Sequence, residues 1–331
     1  MSIHPWNEGL WRELVQDRAK LPHALLLHGP RGVGKRSFAL ALAKWLLCES
    51  PSGEGACGNC KACNWFEQGS HPDFKLVEPA AEAGKEEEGG KKASKQIAIG
   101  DIRVLGDFLG LASHQGGWRV VLIHPAESMN PAAGNALLKT LEEPPANVLL
   151  ILIAHQPRRL LPTVLSRCRK QAMMLPSRDQ SRDWLVASGA GRAVDVLNEV
   201  GGAPLLAMEC AEADRLERRR RFLAALAAPD AGGLSSLAQE FQQRLEESWG
   251  WLVRWLFDLL AIQAAGTPRY FPEQAGVLDR LARRARPIAL WHMQRELLSA
   301  GRWLKHPLNG QLLLESWLIL YLDTMETGDG R

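Results

Sequence analysis

The chain has 331 residues, 46% of them hydrophobic and 23% charged, with a formal net charge of +3; that length suits two or three domains, each with its own core. The near balance of charge argues against a dedicated nucleic-acid binder, because no global positive field would draw a polyanion to it. No run of 18 or more uncharged apolar residues occurs, and the start, MSIHPWNEGLWREL, lacks a basic segment followed by an apolar core, so a cytoplasmic protein without membrane contact is expected.

Residues 25–28 (LLLH) are a short apolar run feeding GPRGVGK at 29–35, and SFALALAKWLL follows with helical spacing. Strand, glycine loop and helix in that order are the setting of a phosphate-binding loop. Four of the six cysteines come next, between Cys48 and Cys63, and residues 80–96 (AAEAGKEEEGGKKASKQ) are charged and almost free of large apolar side chains, which predicts a mobile loop. Residues 119–124 (RVVLIH) and 148–154 (VLLILIA) read as buried strands, and the stretch between them predicts a helix from Asn130 that stops before Pro144 and Pro145. Alternating strands and helices imply a parallel α/β sheet with both faces covered. Beyond about Met174 the apolar residues keep helical spacing only, so the C-terminal half is expected to be all-α.

The loop is incomplete as a catalytic element. In G-x-x-x-x-G-K-[ST] the backbone N–H groups cradle phosphates, the lysine reaches the outer phosphates and the hydroxyl binds Mg²⁺. Gly29, Gly32, Gly34 and Lys35 are the candidate phosphate-binding residues, but Arg36 occupies the hydroxyl position. Ser37 comes one residue late, rotated by roughly 100° on a helix. At the tip of the 119–124 strand, where acidic residues would hold Mg²⁺ and orient water, the chain reads His124 and Pro125, with Glu127 further along. Two separate defects at the magnesium positions predict an ATPase fold without hydrolysis. Phosphate binding without turnover and a plain glycine turn both remain open.

Cys57, Cys60 and Cys63 form C-x₂-C-x₂-C, and Cys48 precedes them by nine residues. Turns of two residues let sulfurs converge on one ion, so the four predict a closed structural Zn²⁺ site. An iron–sulfur cluster is the competing reading, though the downstream Cys-Pro of ferredoxin-type patterns is missing. His71, in GSHPDF, is an alternative fourth ligand to Cys48.

Twelve tryptophans and the basic runs RLERRRRF and LARRARP raise the question of nucleic-acid stacking and phosphate contact. The spacing of Trp249, Trp251 and Trp255 suits a bundle core, and helical arginines suit a solvated face or pairs with nearby glutamates.

HALLLHGPRGVGK, CGNCKAC, GSHPDF, NALLKTLEEPPANVLLILIA and LPTVLSRCR together resemble the bacterial clamp-loader ATPase family of DNA polymerase III. The match spans about residues 21–169 and is weaker beyond, resting there on helical character and HPLNGQLLLESWLI. The resemblance implies a RecA-like AAA+ α/β domain at 1–170 with an inserted zinc module at about 48–72, a small helical lid domain at 171–210, and an all-α collar domain at 211–331. It further implies a subunit that does not hydrolyse ATP. Its partners would be motor (gamma/tau) and delta subunits, and through the assembled ring the beta sliding clamp and primed DNA. The stretch GGAPLL offers Pro204 where motor subunits carry a nucleotide-sensing arginine. One catalytic part is intact: Ser166, Arg167 and Cys168 match the family's S-R-C motif, whose arginine points across a subunit interface at the γ-phosphate of a neighbour's ATP. Two other readings compete, an active stand-alone DNA-dependent ATPase and a zinc-dependent nucleic-acid-binding protein on a relic ATPase fold.

Overall fold

The structure, a computed structural model, describes residues 3–53, 55–82, 94–110, 117–306 and 309–326. It divides into two compact units, Met1–Gln180 and Ser181–Arg331.

The first unit contains, in chain order, α1 (Glu8–Val15), β1 (Ala24–His28), α2 (Lys35–Leu47), α3 (Lys61–Glu67), β2 (Phe74–Val77), α4 (Ile99–Gly110), β3 (Arg119–Ile123), α5 (Pro131–Glu142), β4 (Val148–Ala154), α6 (Pro162–Leu165) and β5 (Arg169–Ala172). The strands are all parallel, in the order β2-β3-β4-β1-β5. Apart from His28 and Arg119 at their ends, the central strands are apolar because both faces are covered. Leu25, Leu27, Val120, Leu122, Leu149 and Ile151 face a core shared with Trp11, Phe38 and Trp45 of α1 and α2. Their sequence neighbours, among them Leu26, Val121, Ile123, Leu150 and Leu152, face the opposite core with Ile102, Leu137 and Val164 of α4, α5 and α6.

The strands expected at 25–28, 119–124 and 148–154 form as β1, β3 and β4, and α5 begins as expected with the Asn130 side chain accepting from the Ala133 N–H at 2.8 Å. The two edge strands, each of four residues, had no long apolar run to announce them. β2 is largely half-exposed, and β5 (RKQA) is polar because it borders the sheet on one side only. β5 runs through Ala172, past the boundary expected at 170. Of the insert at 80–96, residues 83–93 lie outside the described residues; at its base the Ala81 N–H donates to the Ser94 carbonyl at 3.0 Å.

In the second unit the described residues carry helices and no strand: α7 (Arg178–Ala187), which starts at the end of the first unit, then α8 (Pro204–Cys210), α9 (Ala213–Ala227), α10 (Ala231–Phe241), α11 (Leu245–Ala265), α12 (Ala275–Arg284), α13 (Pro287–Ala300) and α14 (Gly310–Glu326). A small core of Leu185, Ala193, Val196, Leu197 and Ala207 is distinct from a larger one around Phe222, Phe241, Trp251, Trp255, Phe271 and Tyr321. Trp251 and Trp255 are fully buried, which identifies them as core rather than stacking platforms. The basic run on α9 is largely neutralised. Buried Glu199 accepts from Arg215 and Arg219, each at 2.8 Å, and from the Trp251 indole at 3.0 Å, while Glu247 and Glu273 engage Arg218 and Arg219.

Asp258 on α11 is fully buried, and its carboxylate takes the backbone N–H groups of Arg269, Tyr270 and Phe271 at 2.7–3.0 Å, holding the chain that follows the helix. Asp258→Ala would orphan these donors, each costing about 1–3 kcal/mol when buried. We expect a loss of about 3 kcal/mol in denaturant unfolding; a change within about 0.5 kcal/mol would show that water replaces the carboxylate at no cost.

Candidate functional site

The glycine loop leaves the C-terminal end of β1 between the ends of β4 and β5, where the Gly29 N–H donates to the Ala154 carbonyl and the Met173 N–H to that of His28. Gly34 is left-handed at φ 88° and opens α2, so the loop N–H groups gather at a helix N-terminus, the geometry that receives phosphate. A β-carbon on Gly34 would strain that backbone and lie 2.5 Å from the His4 ring. The segment before α1 braces the loop: the Trp6 indole and the Asn7 amide both donate to the Val33 carbonyl at 3.0 Å. Lys35 is buried, and its ammonium donates to the carbonyls of Gly29 and Pro30 at 2.7 and 2.5 Å. Burial lowers its pKa to about 8, with Glu127 opposing, so it is mostly protonated at neutral pH.

The two positions singled out in the sequence, Arg36 and His124, engage other side chains. Arg36 points to Glu78, 3.4 Å away, and the Ser37 hydroxyl donates to the Gly34 carbonyl at 2.9 Å. At the tip of β3, His124 packs edge-on against His155 with ring centroids 5.5 Å apart. Burial, with His155 and Arg36 adding to it, lowers His124 to about 4; burial, with Lys35 and Arg31, does the same to His155. Both rings are therefore neutral at pH 7, and imidazole is a poor ligand for a hard cation that prefers oxygen. Glu127, the nearest carboxylate in sequence, accepts the backbone N–H groups of His155 and Gln156 at 2.8 and 3.0 Å, which ties it to the end of β4. His155 was not legible as part of this site, because its approach to His124 depends on β3 and β4 being neighbours.

Arg167 follows the short helix α6. Its guanidinium is partly exposed, meets the Glu142 carboxylate at 2.6 Å, and donates to the Thr163 carbonyl at 3.0 Å and the Ser166 hydroxyl at 3.3 Å. Cys168 beside it is buried in the core under α5 and α6, where burial raises its thiol to about 11. The motif thus places a buried anchor next to an accessible cation. Pro204, in the GGAPLL stretch, is the buried first residue of α8.

The four cysteines gather as their spacing predicted, with every sulfur within 4.8 Å of the others. Cys48 ends α2, Cys60 caps α3, and Cys63 lies on α3. The backbone N–H groups of Cys57 and Cys63 donate to the sulfurs of Cys48 and Cys60 at 3.3 and 3.4 Å, and the Cys48 and Cys60 sulfurs are 3.9 Å apart. Tetrahedral zinc with bonds of about 2.3 Å separates its sulfurs by about 3.8 Å, so the set fits one such ion. His71 is not in the group: its Nδ1 accepts from the Asp73 N–H at 3.1 Å.

Residues 7–176 match the family model described as DNA polymerase III, delta subunit, and residues 213–321 match DNA polymerase III, delta subunit, C terminal. Over 96% of its length the chain is 36% identical to DNA polymerase III subunit delta' of Pseudomonas aeruginosa, 97% of which is covered. The chain belongs to the DNA polymerase III delta-prime family. The delta-prime subunit of Yersinia pestis is 32% identical over 99% of this chain and 98% of its own. DNA polymerase III subunit tau of Salmonella typhimurium is 38% identical over 149 residues, 45% of this chain and 21% of its own. Among the described residues no helix is long and apolar enough to cross a membrane.

Proposed function

We propose that this chain is a non-hydrolysing clamp-loader subunit. It assembles with motor (gamma/tau) and delta subunits in the cytoplasm and supplies Arg167 in trans to a neighbour's ATP, while the ring places the beta sliding clamp on primed DNA. One contrast carries this reading: Arg36 and His124 stand where a hydroxyl and a carboxylate hold Mg²⁺ in a working loop, and both turn elsewhere, yet Arg167 is present and accessible. A trans arginine neutralises charge spreading over the transferring phosphoryl oxygens, which requires no chemistry in the subunit that provides it. Similarity to both delta-prime and tau subunits supports a partner that shares the motor fold. In this reading residues 171–210 act as the lid and 211–331 as the collar, and the cysteine cluster holds Zn²⁺ as a structural ion.

The test is ATP turnover by the purified chain with Mg²⁺, with and without primed DNA. We expect none above the blank. Turnover abolished by Lys35→Ala would overturn the reading in favour of an active stand-alone ATPase.

A further inference from the structure

The partner of Arg167 lies in another element. Glu142 is the last residue of α5, and 25 positions separate it from Arg167 in sequence. Both backbones are fixed where they meet: Glu142 is followed closely by Pro144 and Pro145, and α6 opens on Pro162. Gly134 on α5 lets Leu161, the residue before α6, come so close that a β-carbon would lie 2.8 Å from its Cδ1. The two elements therefore present the carboxylate and the guanidinium to each other from anchored positions.

The contacts divide the guanidinium. Nη2 meets Glu142 at 2.6 Å, and Nη1 is held by the Thr163 carbonyl and the Ser166 hydroxyl. An arginine presents five N–H donors in a rigid planar fork, so a hold on both terminal nitrogens fixes its plane and leaves other donors for a second anion. The Arg167 side chain is 35% exposed, so the remaining donors of its guanidinium are reachable from solvent.

We propose that Glu142 is the positioning residue for Arg167, aiming its guanidinium at the γ-phosphate of the neighbouring subunit; this rests on the reading of Arg167 as a trans arginine. Without the carboxylate, Nη1 alone stays tethered and the plane of the fork is free to turn. Misplacement of a reacting or stabilising group by about an ångström lowers rates by up to about 10². A purely structural surface pair would contribute little and would leave the chemistry untouched.

The experiment uses the ring reconstituted from this chain with motor and delta subunits, on primed DNA with the clamp, after confirming that every variant assembles equally. Single-turnover phosphate release identifies the phase that Arg167→Ala slows. Glu142→Ala is expected to slow that phase about tenfold, with the half-saturating ATP concentration changing less than about twofold. Glu142→Gln, which keeps an oxygen acceptor, should recover most of the rate, and Glu142→Ala should add nothing in the Arg167→Ala background. An unchanged rate in Glu142→Ala, or an equal loss in both backgrounds, overturns the positioning role while the trans arginine stands. If Arg167→Ala slows no phase, the reading beneath it fails instead.

Discussion

Replacing Arg167 with alanine should slow phosphate release at the neighbouring ATP site by on the order of 10³ in a reconstituted ring, as trans arginines do in characterised phosphoryl transfer. That factor corresponds to about 4 kcal/mol of transition-state stabilisation. The same substitution should hardly touch the fold, because the ion pair it removes among the described residues is the partly exposed one with Glu142, and such pairs contribute about 0–1 kcal/mol. Large kinetic loss with an unfolding free energy changed by less than about 1 kcal/mol is therefore the signature of the proposed role. Arg167→Lys separates charge from geometry. It keeps the positive charge but loses the planar fork, and an intermediate rate is expected. If single-turnover traces of wild type and Arg167→Ala coincide, the subunit is a docking scaffold and supplies no chemistry.

Loss of metal should unfold the cysteine module while leaving the sheet intact. Structural zinc sites in small peptides bind with about 10–16 kcal/mol, far more than the contacts of a segment containing one seven-residue helix can supply. Without a cation two of the thiols also disagree in chemistry. Backbone N–H groups of Asn59 and Cys60 lower the exposed Cys57 to about 6, whereas burial lifts Cys63 to about 12. A divalent ion bound here would resolve that conflict by holding all four as thiolates, and its binding should release protons. We expect one zinc per chain by elemental analysis. Chelation or Cys63→Ser should make amides of residues 57–67 exchange rapidly, while those of β1, β3 and β4 stay protected by cores that use none of the four cysteines. Equimolar iron with visible charge-transfer absorption in anaerobically purified protein would refute zinc, and unchanged exchange after chelation would refute the structural role.

The sequence by itself determined whatever depends on neighbours along the chain. Three central strands were legible because a strand covered on both faces is apolar along nearly all its length, and α5 was legible because Asn130 caps its start and Pro144 and Pro145 bar its continuation. Arg36 and His124 were readable from their places after the glycine loop and at the tip of a strand, and the cysteine cluster from its spacing, since three of its four sulfurs come from a single stretch of seven residues. The tertiary structure alone decided what depends on distant elements meeting. Edge strand β5, with one open side, carries no apolar signal, and β2 is too short, at four residues, to stand out as a run. The pairing of His124 with His155 depends on β3 lying beside β4, the neutralisation of the α9 arginines on Glu199 reaching them from a different element, and the hold of Glu142 on Arg167 on α5 packing against α6. The residues of each pair were visible in the sequence from the start; what brings them together is burial of apolar side chains elsewhere, which fixes where each helix and strand must lie.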